Sequence, residues 1–544
     1  MSCGGLYEHV AINAALASEK ILNDLKAAIL MTLTFQTIGA ASFNTVGVIG
    51  AGTMGAGIAQ VAALAGCRVK LYDAREGAAQ AALVRTGDTL AKLAEKGKLS
   101  LEAAKSASAR MTSAMDLADF HDCDLIVEAI IEDVHAKQAL FKSLETICAP
   151  TAVLATNTSS ISITAIANGL ARPENVVGMH FFNPAPVMQL VEVVTGQLTS
   201  VAVAERMEAC VREWKKTPVR CKSSPGFIVN RVARPYYGEA FRVLESGGAD
   251  VPTIDLVLRE AGGFKLGSFE LLDLIGLDVN LMVTKSVWNA YYQDSRYRPS
   301  LTQEEMVAGG LLGRKSGRGF YAYPAEASAP PASMLGPVPT MVQYLLESEA
   351  LDPLTDRIKA AGIKVQARKE DDPLGAGMLR VGNATVCLSD GRTATQLAYE
   401  EEVANVVTLD LARDFATTQR VGLARGEETT TAALTDAVGL FRALGIEVSV
   451  INDVPGMIVA RTLAMLANEA ADAVLQGVSD APGVDTAMKL GVGHPEGPLA
   501  TADRIGLTLI NAILVNMQSH TGDDRYRQSL LLQRKVWSDG SFTA

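Results

Sequence analysis

A histidine and a glutamate twelve residues apart are the strongest candidates for proton-transfer chemistry in this 544-residue sequence. His180 opens His180-Phe-Phe-Asn183-Pro184 at the end of an apolar run of strand length, Val176 to Phe182, and Glu192 stands between Val191 and Val193 in the next such run. A carboxylate among valines is costly to bury without a partner. An imidazole is the natural one: the pair would fix the ring's tautomer and raise its basicity, making a general acid/base. A histidine on its own is better read as a satisfied core or surface residue. The buried glutamate and the glycine loop upstream reverse that reading.

The loop is Gly50-Ala-Gly52-Thr53-Met54-Gly55. As a bare pattern it is weak, but here it ends a strand-like run, Thr45 to Gly50, and opens a helix of small residues, Gly57 to Ala65. Gly50 permits the tight turn, Gly52 lets backbone approach a pyrophosphate, and Gly55 allows close helix–strand packing. Phosphates then sit against N–H groups at the helix start, around Thr53 and Met54. Asp73 closes the next strand-like run, where a carboxylate accepts from both ribose hydroxyls and repels a 2′-phosphate. NAD is therefore expected over NADP, with Arg75 the one nearby feature that pulls the other way. A glycine-rich turn without a ligand is the competing reading. Gly375-Ala-Gly377 serves as an internal control: no strand precedes it and Arg380 replaces the third glycine, so it is rejected as a second cofactor loop.

Thr156-Asn157-Thr158-Ser159-Ser160 follows another strand end, where hydroxyl and amide groups can polarise a carbonyl or, alternatively, cap the helix beginning near Ile161. Asn230, in the helix after Pro225-Gly226, can donate to the same oxygen. Its surroundings recur: Pro225-Gly-Phe-Ile-Val-Asn-Arg231 matches Pro455-Gly-Met-Ile-Val-Ala-Arg461. Glu239 matches Glu469, Asp255 matches Asp485, Asp273-Leu-Ile-Gly276 matches Asp503-Arg-Ile-Gly506, and Arg296-Tyr-Arg298 matches Arg525-Tyr-Arg527. The register is 230 residues, slipping by one near the end. This is a duplicated helical domain whose copies can pack as a pseudo-symmetric pair. Ala460 replaces Asn230 in the second copy, which assigns the polar residue to a site and the repeat to structure.

These groups need a scaffold of strands alternating with helices, that is, a mostly parallel sheet covered on both faces. The expected organisation is an N-terminal extension (1–44), a Rossmann-type α/β domain (45–222), an all-α domain (223–323), a proline-rich linker (324–340), a degenerate α/β domain (341–452) and a second all-α domain (453–544). Met31 is an alternative start, and Ala27 to Phe35 faintly imitates a leader.

Composition narrows the function class. The chain is 48% hydrophobic and 20% charged, with 49 Lys+Arg against 60 Asp+Glu, so it is neither disordered nor suited to non-specific nucleic-acid binding. Seven cysteines without a CxxC pair suggest reduced thiols in a cytoplasmic protein rather than zinc or disulfides, and no metal site is expected. No run of about twenty apolar residues is present to span a membrane.

Taken together, the glycine loop, Glu132 with Lys137, Asn157-Thr-Ser159-Ser160, His180 to Pro184, Glu192 and Pro225 to Arg231 resemble the L-3-hydroxyacyl-CoA dehydrogenases. The resemblance covers roughly 45–322 in full and 453–535 in part; its tandem arrangement is most similar to members acting on 3-hydroxyadipyl-CoA in phenylacetate degradation, with 3-hydroxybutyryl-CoA members next. It implies His180 as acid/base with Glu192 as its partner. Ser159 and Asn230 then hold the substrate oxygen, with Asn183 in support. Glu132 and Lys137 lie near the nicotinamide ribose, and Lys96 is a candidate for the CoA phosphates. Residues 340–452 depart from the pattern, having neither the glycine loop nor the histidine motif. The implied reaction is NAD-dependent oxidation of an L-3-hydroxyacyl-CoA to the 3-ketoacyl-CoA. A hydroxyacid dehydrogenase of the 6-phosphogluconate type, expected to carry a catalytic lysine, and a non-catalytic NAD-binding protein are the alternatives. The acyl chain is unreadable at this level: Arg231 and Arg234 are among several arginines able to meet a terminal carboxylate. Monomer and homodimer both remain open.

Overall fold

In a computed structural model, the described residues are 43–324, 334–367 and 376–543. Met31, the stretch Ala27 to Phe35, most of the proline-rich linker and Gly375 lie outside them. Eight strands form the first sheet: β1 (Thr45–Ile49), β2 (Arg68–Tyr72), β3 (Met111–Ser113), β4 (Leu125–Glu128), β5 (Val153–Thr156), β6 (Val176–Phe181), β7 (Leu190–Thr195) and β8 (Thr217–Lys222). Their order is β3-β2-β1-β4-β5-β6-β7-β8, and every neighbouring pair is parallel except β6 and β7. The central strands are buried along their whole length, as a sheet covered on both faces requires. The chain order reverses between β1 and β4, so a crevice opens at the carboxyl ends of these strands.

Phe43 and Asn44 belong to this sheet domain and not to the extension. Phe43 is buried beneath the Arg206 guanidinium, and the Asn44 N–H donates to Asp124.

A second, seven-stranded sheet is built from β9 (Met341–Leu346), β10 (Lys364–Gln366), β11 (Met378–Val381), β12 (Ala384–Leu388), β13 (Val406–Leu409), β14 (Arg420–Arg425) and β15 (Glu447–Ile451), in the order β10-β9-β11-β12-β13-β14-β15. Gly377 leads into β11. The repeat seen in the helical domains extends into this sheet. Helix Val201–Glu213 and helix Thr431–Ala443 stand 230 residues apart, as do the starts of β6 and β13, β7 and β14, and β8 and β15. The same step takes His180 to Asp410 and Glu192 to Gly422. In the first copy His180 faces Glu192 across the antiparallel pair; in the second the Asp410 N–H donates to the Gly422 carbonyl.

The exchange has a physical logic. Glu192 Oε1 accepts from the backbone N–H groups of Ile228 and Val229, both at 3.0 Å, so it caps the helix after Pro225-Gly226. In the second copy Asp410 does this from the neighbouring strand, accepting from Ile458, Val459 and Ala460 at 2.8–3.0 Å. A Cβ on Gly422 would come within 3.2 Å of the Asp410 side chain, so a side chain there would crowd the carboxyl that caps the helix. Burial pushes the Asp410 carboxyl up to about 6 in spite of the three donors. The second copy keeps a buried helix-capping carboxyl and gives up the imidazole, retaining shape without the acid/base.

The two helical copies pack against each other about an approximate twofold relation. Arg231, Arg296 and Tyr297 of the first copy converge on Glu469 of the second; Arg461, Arg525 and Tyr526 of the second converge on Glu239 of the first. All eight side chains are buried. Among the described residues, no single helix is long and apolar enough to cross a membrane.

Candidate active site

The crevice collects the ends of four parallel strands: Gly50 after β1, Glu128 at the end of β4, Asn157 to Ser160 after β5, and His180 near the end of β6. Antiparallel β7 brings Glu192 alongside, because one register step sets it opposite His180. Their side chains meet, His180 Nδ1 lying 2.6 Å from Glu192 Oε2. Glu192 is fully buried and His180 is 5% exposed. The ring rests against Phe182 and Phe227, with centroids 4.6 and 5.7 Å away. With Nδ1 engaged, Nε2 has no hydrogen-bond partner among the described residues and is the nitrogen free to exchange a proton. Glu192 has two duties: one oxygen orients the ring, and the other ties the helix carrying Asn230 to the sheet.

The glycine loop fits a dinucleotide. Gly50 has φ +104°, and a Cβ there would lie 2.4 Å from the Ala129 carbonyl oxygen. A Cβ on Gly55 would lie 1.8 Å from the Gly50 oxygen, whereas one on Gly52 would meet nothing within 4 Å. Two of the glycines are thus required by packing; the middle one leaves its face open, as close approach of a pyrophosphate demands. Helix Thr53–Leu64 begins at Gly52 without a side-chain cap and without acidic residues in its first turn, so its N–H groups at Thr53 and Met54 remain available to an anion. Asp73 is held on the loop by the Ala51 N–H at 2.8 Å. The Arg75 guanidinium engages both its oxygens and, together with the backbone N–H groups of Ala51 and Arg75, holds the carboxyl well below the ordinary range. The side chain of Arg75 is 75% exposed, so it can swing away from a ligand.

Beside the loop lies a network that sequence reading recovered only in part. Lys137, 1% exposed, donates to Glu128 at 2.6 Å and lies 3.3 Å from Glu132. Its ammonium is turned onto these two carboxylates and away from solvent, with Glu128 the closer partner. Thr158 Oγ1, Ser159 N, Ser159 Oγ and Ser160 Oγ all donate to Glu132 Oε1, at 2.6, 2.9, 3.3 and 3.2 Å. Burial raises the Glu132 carboxyl, but Thr158, Lys137 and Ser159 outweigh it and the net shift is downward. Glu128 was not singled out from the sequence. A carboxylate ending the buried run Leu125-Ile-Val-Glu128 was the available signal, of the same kind that marks Glu192. Asn157 braces the next strand, its Oδ1 accepting from the Phe181 N–H at 2.8 Å.

Asn230 is half-buried on the helix tied to Glu192, so it stands beside the dyad, and Asn183 is exposed just past the end of β6. Lys96 does not converge on the site: it is exposed at the C-terminal end of helix Ala78–Glu95, packed against the β2–β3 side of the sheet. Arg231 is also removed from consideration as a substrate contact, because it is sealed in the helical interface with its Nε 2.5 Å from Glu469.

The comparison with known proteins is consistent along the chain. The 3-hydroxyacyl-CoA dehydrogenase NAD binding domain matches residues 45–224, and the C-terminal domain of the same family matches 226–323 and again 456–540. The 3-hydroxyadipyl-CoA dehydrogenase of Escherichia coli K12 is 42% identical over 498 residues, covering 91% of this chain and 98% of that protein. The chain belongs to the 3-hydroxyacyl-CoA dehydrogenase family. Membership makes it an NAD-dependent oxidoreductase of the 3-hydroxyacyl-CoA class and displaces the two alternative readings. The crystal structure of a 3-hydroxybutyryl-CoA dehydrogenase from Escherichia coli K12 superposes with a TM-score of 0.82 at 41% identity, covering 91% of this chain and 98% of that one. Residues 386–455 match the reduced Rossmann-fold domain of 3-hydroxybutyryl-CoA dehydrogenase, in the sheet where Asp410 and Gly422 replace the dyad. A probable 3-hydroxybutyryl-CoA dehydrogenase of Bacillus subtilis, 43% identical, covers 52% of this chain and 98% of its own length. In this dehydrogenase the second half is thus an addition to a unit that exists alone elsewhere.

Proposed function

We propose that this dehydrogenase oxidises L-3-hydroxyadipyl-CoA to 3-oxoadipyl-CoA, with the chemistry carried by the first copy alone. The observation that carries the mechanism is the 2.6 Å contact between His180 Nδ1 and Glu192, which leaves Nε2 as the proton acceptor. The Gly50–Gly55 loop, with Thr53, Met54 and Asp73, would hold the NAD, which when bound would supply the acceptor for the hydride from C3. His180 removes the hydroxyl proton as the carbonyl forms. Glu192 favours the resulting imidazolium and keeps the ring in one tautomer. Ser159 and Asn230 donate to the substrate oxygen as it gains carbonyl character, and Asn183 supports the site from the strand end. If Ser159 turns its hydroxyl to the substrate, Glu132 keeps Thr158, Ser160 and the Ser159 N–H, so the switch leaves no carboxylate stranded. Phe182 and Phe227 shield the ring from water, which strengthens each of these interactions.

The substrate choice rests on full-length similarity to the 3-hydroxyadipyl-CoA enzyme. 3-Hydroxybutyryl-CoA is the second reading, favoured by the name of the solved relative of similar coverage. Buried free cysteines accord with a cytoplasmic enzyme. The paired helical copies supply within one chain the contact a dimer would make, so a monomer suffices on that face. Following NADH absorbance with 3-hydroxybutyryl-, 3-hydroxyhexanoyl- and 3-hydroxyadipyl-CoA tests the substrate. The highest kcat/KM is expected with the adipyl thioester; a preference for the butyryl thioester overturns that choice.

A further inference from the structure

Several arginine side chains lie in or near the helical interface, and most are matched by carboxylates. Arg231 is matched by Glu469, Arg296 by Glu469 and Asp472, Arg298 by Asp523, and Arg527 by Asp294. Arg234 differs. It is 7% exposed, and no carboxylate among the described residues pairs with it. Its Nη1 donates to Thr284 Oγ1 at 2.9 Å, its guanidinium carbon lies 5.0 Å from the centre of the Tyr237 ring, and its Nε is buried with no hydrogen-bond partner. Burial pulls it below its ordinary value, whereas Glu469 pushes Arg231 above its own despite burial.

A guanidinium taken out of water without an anion is costly, and neither packing nor the hydrogen bond to a threonine offsets that cost. Arg234 lines a small cavity with Tyr237, Arg242, Glu245, Thr284 and Arg296. The carboxylate in that set, Glu245, accepts from the Ser300 and Thr302 hydroxyls and leaves Arg234 alone. The Nε atoms of Arg242 and Arg296 are likewise buried without partners. This cavity is short of an acceptor, not of a donor.

Its position says which acceptor. Arg234 follows Asn230 by four residues, and the backbone is helical through Ala233, so the two side chains occupy one flank of the helix about 6 Å apart along its axis. Asn230 is the residue assigned to the oxygen on C3. The far end of a six-carbon acyl chain lies three bonds beyond C3, a reach of the same order. Resting on the proposed 3-hydroxyadipyl reading, we propose that Arg234, braced by Thr284 and Tyr237, receives the terminal carboxylate of the acyl chain and sets the enzyme's preference for a dicarboxylic thioester. A four-carbon acyl chain ends in a methyl group and leaves the guanidinium unmatched.

The test compares 3-hydroxyadipyl-CoA with 3-hydroxyhexanoyl-CoA, which has the same chain length and no carboxylate. Wild type is expected to favour the adipyl substrate in kcat/KM. In Arg234→Met that preference should fall by about a hundredfold, mainly through KM, the size expected when one partner of a desolvated charge pair is removed. Arg234→Lys, which keeps the charge but loses the fork, should fall between the two and serves if the methionine variant does not fold. NADH affinity, read by fluorescence, reports on the fold of each variant. Equal losses on both substrates, or an unchanged preference in a folded variant, overturn the role of Arg234 while leaving the substrate reading intact. A wild type without preference for the adipyl substrate overturns both.

Discussion

His180→Ala is expected to lower kcat by about two to four orders of magnitude while NADH affinity stays near wild type. The histidine side chain is held for proton exchange: Nδ1 is fixed by Glu192, the ring is wedged by two phenylalanines, and Nε2 has no hydrogen-bond partner among the described residues. Alanine removes the acceptor for the hydroxyl proton and leaves Ser159, Asn230 and the cofactor loop in place, so binding survives and the chemical step does not. The residual rate reports what positioning and the two oxygen donors achieve alone. Steady-state turnover with a 3-hydroxyacyl-CoA and NAD, alongside a fluorescence titration with NADH, checks both halves. Matching losses in cofactor affinity would instead assign His180 a structural role.

Glu469→Ala is expected to destabilise the protein by about 3–5 kcal/mol, the range for breaking a buried ion pair from one side. Glu469 accepts from Arg231 at 2.5 Å, Tyr297 at 2.6 Å and Arg296 at 3.1 Å, and all of these side chains are buried. Without it the Arg231 guanidinium loses its counter-charge in a dry interface and keeps only the neutral Gln476, while Arg296 loses one of its two carboxylates and keeps Asp472. The symmetry-related Glu239→Ala should cost less. Its arginines stand farther off, at 3.5 and 3.7 Å, and burial already pushes the Glu239 carboxyl above its usual range. Urea denaturation of both variants checks the order; a larger loss for Glu239→Ala contradicts this account of the interface.

The legible parts of the fold were those written locally. The glycine loop, the strand-ending Asp73 and the His180 motif each show their chemistry within a few residues, because a strand end and the turn after it position them. The pairing of His180 with Glu192 was legible as well: an antiparallel neighbour twelve residues on is joined by one short connection. Arg231 misled for the opposite reason. Its partner lies 238 residues away, in the other copy of the repeat, and nothing near it in sequence marks it as sealed. Glu128 and Lys137 are nine residues apart, but their pairing depends on how β4 meets the helix Val134–Ile147, which pattern alone does not give. The second sheet was read as degenerate because the exchange of His180 for Asp410 and of Glu192 for Gly422 erases the motif. The capping of the helix that follows survives the exchange, and only the hydrogen bonds reveal it.

The repeat also explains why one chain carries two sheets and a single set of catalytic candidates. Asn230 and Ala460 make the same point on the helices that His180 and Asp410 make on the strands. At these two positions a candidate polar side chain of the first copy gives way in the second to one that packs, Ala460, or caps, Asp410.

A single-turnover experiment on Glu192→Gln meets the dyad most directly. Glutamine keeps an oxygen to accept from the Ile228 and Val229 N–H groups, so the helix bearing Asn230 stays docked, but it removes the charge that orients and favours the protonated ring. Enzyme, NAD and 3-hydroxyacyl-CoA deuterated at C3 are mixed in a stopped-flow instrument, and the first NADH transient is followed. The account predicts a transient about a hundredfold slower than wild type, with NADH affinity unchanged. A transient at the wild-type rate would contradict it.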